Sequence, residues 1–123
     1  MKYGTKITGN GPDAFTFLGD PDTNFIILFN NDAPPELAEL CVLHEPAELM
    51  ADVEAGDTFI LANKVFTVSA VGSEANETLR GLGHCTVDFK GGPEPERPGC
   101  IMLEGDDPVT AADLVAGARV EIY

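Results

Sequence analysis

The segment that decides the fold is Thr58-Phe-Ile-Leu-Ala-Asn-Lys-Val-Phe-Thr-Val-Ser-Ala-Val71. It consists of two runs of β-branched, aromatic and other apolar residues, which are the types that favour β-strands. Between the two runs, the residues Ala-Asn-Lys at 62–64 allow a tight turn. The segment therefore predicts a β-hairpin.

Similar short runs, bounded by Gly, Pro, Asn and Asp, occur along the whole chain. This pattern is typical of an all-β sandwich or barrel, in which short strands alternate with turns. The predicted strands cover residues 2–8, 24–29, 41–44, 58–62, 65–71, 85–89, 100–103 and 119–123. The pattern predicts a mainly β fold and leaves the sandwich and the barrel open.

One predicted helix begins at the Pro-Pro pair at 34–35, which precedes Glu-Leu-Ala-Glu-Leu. Proline and acidic residues favour the first turn of a helix, and Asp32 is near enough to act as its cap. In contrast, the run Gly-Gly-Pro-Glu-Pro-Glu-Arg-Pro-Gly at 91–99 is too rich in Gly and Pro for regular structure, so we predict an exposed loop there.

A second predicted helix begins near Ser73, whose side chain can cap it, and runs to about Leu82. Gly83 is expected to end this helix, because glycine readily adopts the left-handed conformation found after a last helical turn. We expect Leu79 and Leu82 to face the core. Both predicted helices are only about two turns long.

The chain is strongly acidic, with 7 Lys plus Arg against 21 Asp plus Glu and a formal net charge of −14 at pH 7. A field of this sign repels the phosphates of nucleic acid and of an anionic membrane surface. It favours docking to a basic partner, although acidity also serves solubility alone. The composition therefore argues against nucleic acid as a partner.

The 123 residues fit a single domain, 1–123. No stretch approaches the roughly 20 apolar residues of a membrane span, and no signal-peptide pattern opens the chain. We therefore expect a cytoplasmic protein without direct membrane insertion. The cysteines Cys41, Cys85 and Cys100 are odd in number and far apart, so we expect them to be reduced thiols.

Two similar segments, here called the sequence echo, occur in the two halves of the sequence. Ala-Asp-Val-Glu-Ala-Gly at 51–56 resembles Ala-Asp-Leu-Val-Ala-Gly at 112–117, and a predicted strand follows each. One interpretation is two equivalent barrel corners, and the other is chance similarity between two common turn sequences. The sequence leaves both open.

The residues that could carry chemistry are two histidines, since the sequence has no Gly-rich phosphate loop, nucleophile elbow or Cys-x-x-Cys pair. His44 ends an apolar strand before Glu-Pro, and His84 follows Gly83 and opens the next strand. At the ends of regular elements a side chain can be held by the scaffold and still reach solvent. The alternative is that each is an ordinary surface or hydrogen-bonded histidine.

A metal site is a further alternative. Cys41, His44, His84 and Cys85 supply four ligands of the kind that zinc binds. In a strand, however, positions 41 and 44 point to opposite faces, as do 84 and 85, so the four could converge only through local bends.

The sequence resembles a known family along most of its length. Two runs carry the resemblance. The first is Ile-Leu-Phe-Asn-Asn-Asp-Ala-Pro-Pro-Glu-Leu-Ala-Glu-Leu-Cys-Val-Leu-His at 27–44, and the second is Val-Ser-Ala-Val-Gly-Ser at 68–73, continuing to Leu-Gly-His at 82–84. Both are similar to glucitol/sorbitol-specific IIA proteins of the bacterial phosphotransferase system (PTS). Pro-Gly at 98–99 and the strand at 117–123 resemble them too. The similarity is weaker at 9–23, 45–47 and 91–97.

The resemblance implies a closed or nearly closed antiparallel β-barrel with one or two short helices. It also implies that His44 is phosphorylated, that phospho-HPr is the donor, and that the IIB part of the IIB/IIC membrane permease is the acceptor. His84 becomes a candidate for stabilising the phosphoryl oxygens, with a structural role as the alternative. A second functional hypothesis is a non-catalytic β-barrel binding or regulatory module.

Phosphoryl transfer to His44 requires a neutral imidazole whose other nitrogen donates a hydrogen bond. Either Glu48 or a backbone carbonyl could accept it. Backbone N–H groups, the N-terminus of the helix predicted after Ser73, and His84 are the available donors to phosphoryl oxygens. No metal or cofactor is required, because neither histidine has to activate water or polarise a carbonyl. The sequence predicts neither the polyol nor the oligomeric state.

Overall fold

Eight β-strands and three short helices make up the structure, a computed structural model that describes residues 1–123. In chain order they are β1 (Tyr3–Asn10), β2 (Phe25–Asn30), α1 (Pro35–Ala38), β3 (Val42–His44), β4 (Thr58–Leu61), β5 (Lys64–Val71), α2 (Ala75–Leu82), β6 (Cys85–Asp88), β7 (Cys100–Glu104), a 3-10 helix (Ala111–Asp113) and β8 (Arg119–Ile122). All eight predicted strands are present, with ends displaced by at most two residues.

The strands form a closed barrel in the order β1-β3-β2-β6-β7-β5-β4-β8. The predicted closed β-barrel is thus confirmed. Its antiparallel description holds for six neighbouring pairs, whereas β2 with β3 and β6 with β7 are parallel. Parallel neighbours cannot be joined by a tight hairpin and need a longer crossover. Helix α1 lies in one crossover, and the predicted loop at 91–99 lies in the other.

The hairpin predicted at residues 58–71 is β4–β5. Its last pair, Leu61 with Lys64, brackets a two-residue turn in which Ala62 adopts a φ of 57°. Inward-facing residues of the two strands, including Phe59 and Val68, join a core cluster to which every strand contributes. Burying each large apolar side chain of this kind contributes about 1.5–3 kcal/mol.

Helix α1 is a single turn that begins after Pro34 and has no side-chain cap. The prediction that Asp32 caps it is wrong, because Pro34 itself occupies the capping position and Pro35 supplies the fixed φ of the first turn. The longest helix, α2, has only 8 residues, so none of the helices could span a membrane.

Helix α2 follows Glu74 without a side-chain cap, so the prediction of a Ser73 cap is wrong. Its predicted end is confirmed: Gly83 has a φ of 64°, and its N–H bonds to the carbonyl of Leu79. Leu79 is buried as predicted, but Leu82 is 50% exposed. The buried stripe runs from Ala75 to Leu79, four positions on, and Leu82 lies in the last turn outside it.

The barrel topology has an internal two-fold symmetry. Exchanging β1–β4 with β5–β8 reproduces every neighbouring pair with the same relative direction. Even the irregularities match, since register shifts occur between Ile7 and Gly9 in one half and between Val68 and Ala70 in the other. The two copies of the sequence echo precede β4 and β8, which supports their interpretation as equivalent barrel corners.

Candidate functional site

His44 is the last residue of β3, and its side chain is enclosed at one end of the barrel. It is 0% exposed. Its register partners are Ile7 in β1 and Asn30 at the end of β2, and the ring of Tyr3 meets its ring edge-on with centroids 6.1 Å apart. The expectation that a strand end leaves this histidine in reach of solvent is wrong here, because neighbouring segments cover it.

Both ring nitrogens of His44 face backbone carbonyl oxygens. Nδ1 lies 2.8 Å from the oxygen of Glu45, and Nε2 lies 2.8 Å from the oxygen of Gly83. A neutral imidazole has one N–H and can donate to only one of them, whereas a doubly protonated ring donates to both. In this closed arrangement neither nitrogen presents a lone pair to solvent.

The Glu45 carbonyl is held in place by groups other than His44. The hydroxyl of the buried Thr5 donates to it at 2.5 Å, and the Glu45 N–H donates to the carbonyl of Lys6 at 3.0 Å. The acceptor for Nδ1 is therefore prepositioned by strand β1. Such an acceptor orients the ring, and it competes with the Gly83 carbonyl for the single proton of a neutral imidazole.

Gly83 closes the site by direct contact. A Cβ at this position would lie 2.0 Å from Oδ1 of Asn30 and 2.7 Å from Cε1 of His44. Because Gly83 follows α2, the helix presents its carboxyl end to His44, and that end carries negative partial charge. The prediction that the N-terminus of this helix supplies donors for phosphoryl oxygens is therefore wrong.

Two buried side-chain polar atoms in the structure lack a hydrogen-bond partner. They are the hydroxyl of Tyr3 and Oδ1 of Asn30. Both side chains flank His44, by ring contact and by strand pairing respectively. Unsatisfied groups of this kind are rare in native proteins and are often retained for function.

His84 lies at the same end of the barrel, joined to Gly83. Its ring stacks on that of Phe29, with centroids 4.9 Å apart, and makes no hydrogen bond within the protein. Burial lowers the pKa of His84 below its ordinary value of 6.5, so the neutral ring is favoured at neutral pH. His84 can therefore act as a hydrogen-bonding group here rather than as a fixed cation.

Glu48 does not take the orienting role proposed for it. Its side chain is exposed, and the partners of His44 are the two backbone carbonyls. Of the side chains after His44, Ala47 packs against the core while partly buried, and Leu49 is the next that is fully buried. The carbonyl alternative is the one observed.

The four side chains considered for zinc do not converge. No group of three or more His, Cys, Asp or Glu side chains is arranged to hold a metal ion. Burial raises the pKa of Cys41 and raises that of Cys85 to about 12, with Cys100 nearby adding to the latter shift. Both thiols are buried in the protonated form, and adjacent positions along a strand point to opposite faces. The geometry therefore gives no support to a zinc site.

The surface grooves of the molecule lie away from both histidines. One, of about 400 Å³, lies beside Asp113 and Arg119, and the other, of about 270 Å³, lies beside Phe66 and Phe89. By strand register, the two-fold symmetry relates the second groove to the His44 end of the barrel. The equivalent pairs are Thr5 with Phe66, Asn30 with Phe89, and His44 with Leu103.

Comparison with known proteins resolves the family. A family model described as the PTS system glucitol/sorbitol-specific IIA component matches residues 2–120. The chain belongs to this family. It is 39% identical over 106 residues to the PTS system glucitol/sorbitol-specific EIIA component of Escherichia coli (strain K12), covering 86% of this chain and 84% of the relative. The Shigella flexneri protein of the same description matches to the same extent.

The fold also has a counterpart among solved structures. The crystal structure of a PTS system IIA component from Enterococcus faecalis V583 superposes with a TM-score of 0.76, covering 96% of this chain and 97% of that one at 22% identity. The resemblance drawn from the sequence is confirmed. As a member of the EIIA family, the chain has a phosphotransferase-type role with partners of the PTS.

The sequence did not reveal Thr5, Asn30 or the contact of Gly83 with His44. Gly83 carried a local signal as a helix end, but its approach to the histidine depends on long-range packing. Thr5 and Asn30 lie beside His44 through strand pairing. A pattern along one strand does not indicate which strand is its neighbour.

Proposed function

We propose that the protein is a cytoplasmic phosphocarrier that accepts a phosphoryl group from phospho-HPr on His44. It then passes the group to the IIB domain of a glucitol/sorbitol permease. The observation that carries this proposal is the hydrogen bond between Nδ1 of His44 and the prepositioned carbonyl of Glu45. In the closed site the Gly83 carbonyl competes for the same proton, at 2.8 Å from Nε2. Once the Gly83 carbonyl moves away, the bond to Glu45 remains and favours the Nδ1–H tautomer, in which the lone pair is on Nε2.

Nε2 is therefore the nucleophile in this proposal. In the closed site it faces the carbonyl of Gly83 at 2.8 Å, which leaves no room for a phosphoryl group. Phosphorylation thus requires the turn at 83–84 to move away from the ring. Because residue 83 is a glycine, the turn contacts the His44 ring without a side chain of its own, and the stacking of His84 on Phe29 has to shift with it.

The transfer exchanges one phosphorus–nitrogen bond for another. The bond to the donor nitrogen of phospho-HPr breaks and leaves its electron pair on that nitrogen, while the lone pair of Nε2 forms the new bond. Nδ1 keeps its proton, and the Glu45 carbonyl stabilises the positive charge that the ring acquires. Since the transition state is loose, in-line placement and hydrogen bonds to the three phosphoryl oxygens are the main requirements.

His84 is proposed as one of the groups that contact those oxygens. Its half-buried ring adjoins the moving turn and has no hydrogen-bond partner in the closed site. A neutral imidazole can donate one hydrogen bond to a phosphoryl oxygen. The alternative is a purely structural His84 that stacks on Phe29.

The test is phosphorylation with phosphoenolpyruvate, enzyme I and HPr. We expect one acid-labile, alkali-stable phosphate per chain, which is lost in His44→Gln and slowed in His84→Gln. Nitrogen–phosphorus coupling in NMR spectra of the labelled protein should assign the phosphate to Nε2. Labelling that survives in His44→Gln would move the site elsewhere.

A second candidate function is the non-catalytic binding or regulatory module. The complete burial of His44, with both nitrogens occupied, is the observation that favours it. This hypothesis predicts no labelling of folded protein by an active donor.

Charge provides a separate test of the donor. With a net charge of −14, the protein should attract a donor with a basic face over long range. Raising the ionic strength should therefore slow phosphoryl uptake. A rate that does not change with salt would show that steering is absent.

A further inference from the structure

We propose that Asn30 is a phosphoryl-binding residue, whose side-chain amide donates a hydrogen bond to the phosphoryl group on His44. This inference rests on the proposed phosphorylation of His44. It identifies a donor that the sequence motifs did not suggest.

The first observation is position. Asn30 ends β2, and His44 ends β3, and the two residues are register partners in one of the two parallel strand pairs. Side chains at the same register position of neighbouring strands point to the same face. The Asn30 side chain therefore lies alongside the histidine, and Gly83 contacts both.

The second observation is an incomplete hydrogen-bond inventory. Oδ1 of Asn30 is buried without a partner, although a carboxamide carries two donors and an acceptor that are normally satisfied when buried. The closed state therefore leaves the amide oxygen unpaired beside Gly83, and a half-turn about the last torsion would put the NH2 donors in its place. Moving the turn at 83–84 would open space that both the amide and Nε2 adjoin.

The third observation is the scarcity of other donors. Five of the seven Lys and Arg residues lie within 4.0 Å of carboxylates and are engaged there. They are Lys2, Lys64, Arg80, Lys90 and Arg119. Helix α2 presents its carbonyl end to the site. The Asn30 amide is thus one of the few side-chain donors beside the ring, and the Tyr3 hydroxyl is the other buried one. By rotating about its last torsion, the amide can direct its N–H groups at phosphoryl oxygens in the open state.

The phosphorylated state should depend on this contact. We expect Asn30→Ala to shift the phosphoryl equilibrium with HPr toward phospho-HPr by about 10- to 100-fold, which is the range for a hydrogen bond to a charged group. Asn30→Asp has nearly the same shape but places a carboxylate beside the phosphoryl group, so its shift should be at least as large. Asn30→Ser, which restores one donor, should recover part of the loss.

Stability measurements separate this role from a structural one. Asn30→Ala removes an unsatisfied buried atom, so its thermal stability should equal or exceed that of the wild type. Asn76→Ala is the matched control. Its side chain bonds both to the N–H and to the carbonyl of Val53, so this variant should lose stability while keeping the wild-type phosphoryl equilibrium.

The experiment measures the distribution of phosphate between HPr and the full-length chain at equilibrium, together with thermal unfolding. The proposal is overturned if Asn30→Ala and Asn30→Asp both keep the wild-type distribution while His44 is labelled. If one variant does not fold, the comparison of the other with Asn30→Ser decides. Absence of labelling in the wild type would instead refute the phosphocarrier function itself.

Discussion

Replacing Gly83 with alanine would place a methyl group in the contact that closes the site. The new Cβ would lie 2.0 Å from Oδ1 of Asn30 and 2.7 Å from Cε1 of His44, far inside van der Waals distance. The φ of 64° adds a second cost, because side chains disfavour the left-handed region. The conformational cost is about 1–2 kcal/mol, and overpacking costs about 1–3 kcal/mol. We therefore expect Gly83→Ala to lose about 2–5 kcal/mol of unfolding free energy.

Two other glycines separate these effects. Gly117 has a φ of 93° but no heavy atom within 4 Å of an added Cβ, so Gly117→Ala should lose only the conformational part. Gly81 lies inside α2 with equally open space and no positive φ, so Gly81→Ala should gain about 0.5–1 kcal/mol from helix propensity. Urea and thermal unfolding of the three variants measure the differences. An excess loss of about 2 kcal/mol in Gly83→Ala over Gly117→Ala corresponds to roughly 6–10 °C in Tm.

Reactivity of the histidine gives an independent measure. In the wild type, diethyl pyrocarbonate should modify the half-buried His84 faster than the fully buried His44. In Gly83→Ala the methyl group must displace the turn or the ring, so His44 should react faster. If Gly83→Ala loses no more stability than Gly117→Ala and His44 reacts at the wild-type rate, then Gly83 does not close the site.

Three further predictions concern the surroundings of the site. Thr5→Val keeps the shape of a buried residue but removes the hydroxyl that holds the Glu45 carbonyl. The variant should lose about 1 kcal/mol of unfolding free energy and should take up the phosphoryl group more slowly. Unchanged uptake would exclude a positioning role for Thr5. Burial lowers the pKa of His84, so the unfolded chain binds a proton at this residue first as the pH falls through 6.5. The unfolding free energy should therefore fall between pH 7 and 5.5, and that of His84→Gln should fall less over the same range. Urea titrations at each pH measure both changes. Leu79→Ala should cost about 2–5 kcal/mol because it leaves a cavity, whereas the half-exposed Leu82→Ala should be nearly neutral; similar losses for both would contradict the observed burial of α2.

The sequence was sufficient for features that depend on local pattern. Alternating runs bounded by turn residues predicted all eight strands, and Gly83 predicted the end of α2. It was insufficient wherever the answer depended on which elements become neighbours. The parallel pairing of β2 with β3 brings Asn30 to His44, and the packing of a distant turn buries that histidine. Family resemblance selected His44 as the reactive residue, but neither resemblance nor pattern showed that its site is closed.

The internal symmetry of the barrel relates two ends that carry side chains of different chemistry. At one end the symmetry-related positions hold Phe66 and Phe89, whose rings pack at 5.6 Å, together with the fully buried Leu103. At the other end the same backbone positions hold Thr5, Asn30 and His44, and the buried Oδ1 of Asn30 and hydroxyl of the adjacent Tyr3 lack a hydrogen-bond partner. Substitutions that add apolar contacts for stability are therefore better placed at the aromatic end, whose groove is lined by neither histidine. The opposite end holds the proposed phosphorylation site, and under that proposal it has to keep its imperfect packing, because a site that must open cannot also be the most rigid part of the molecule.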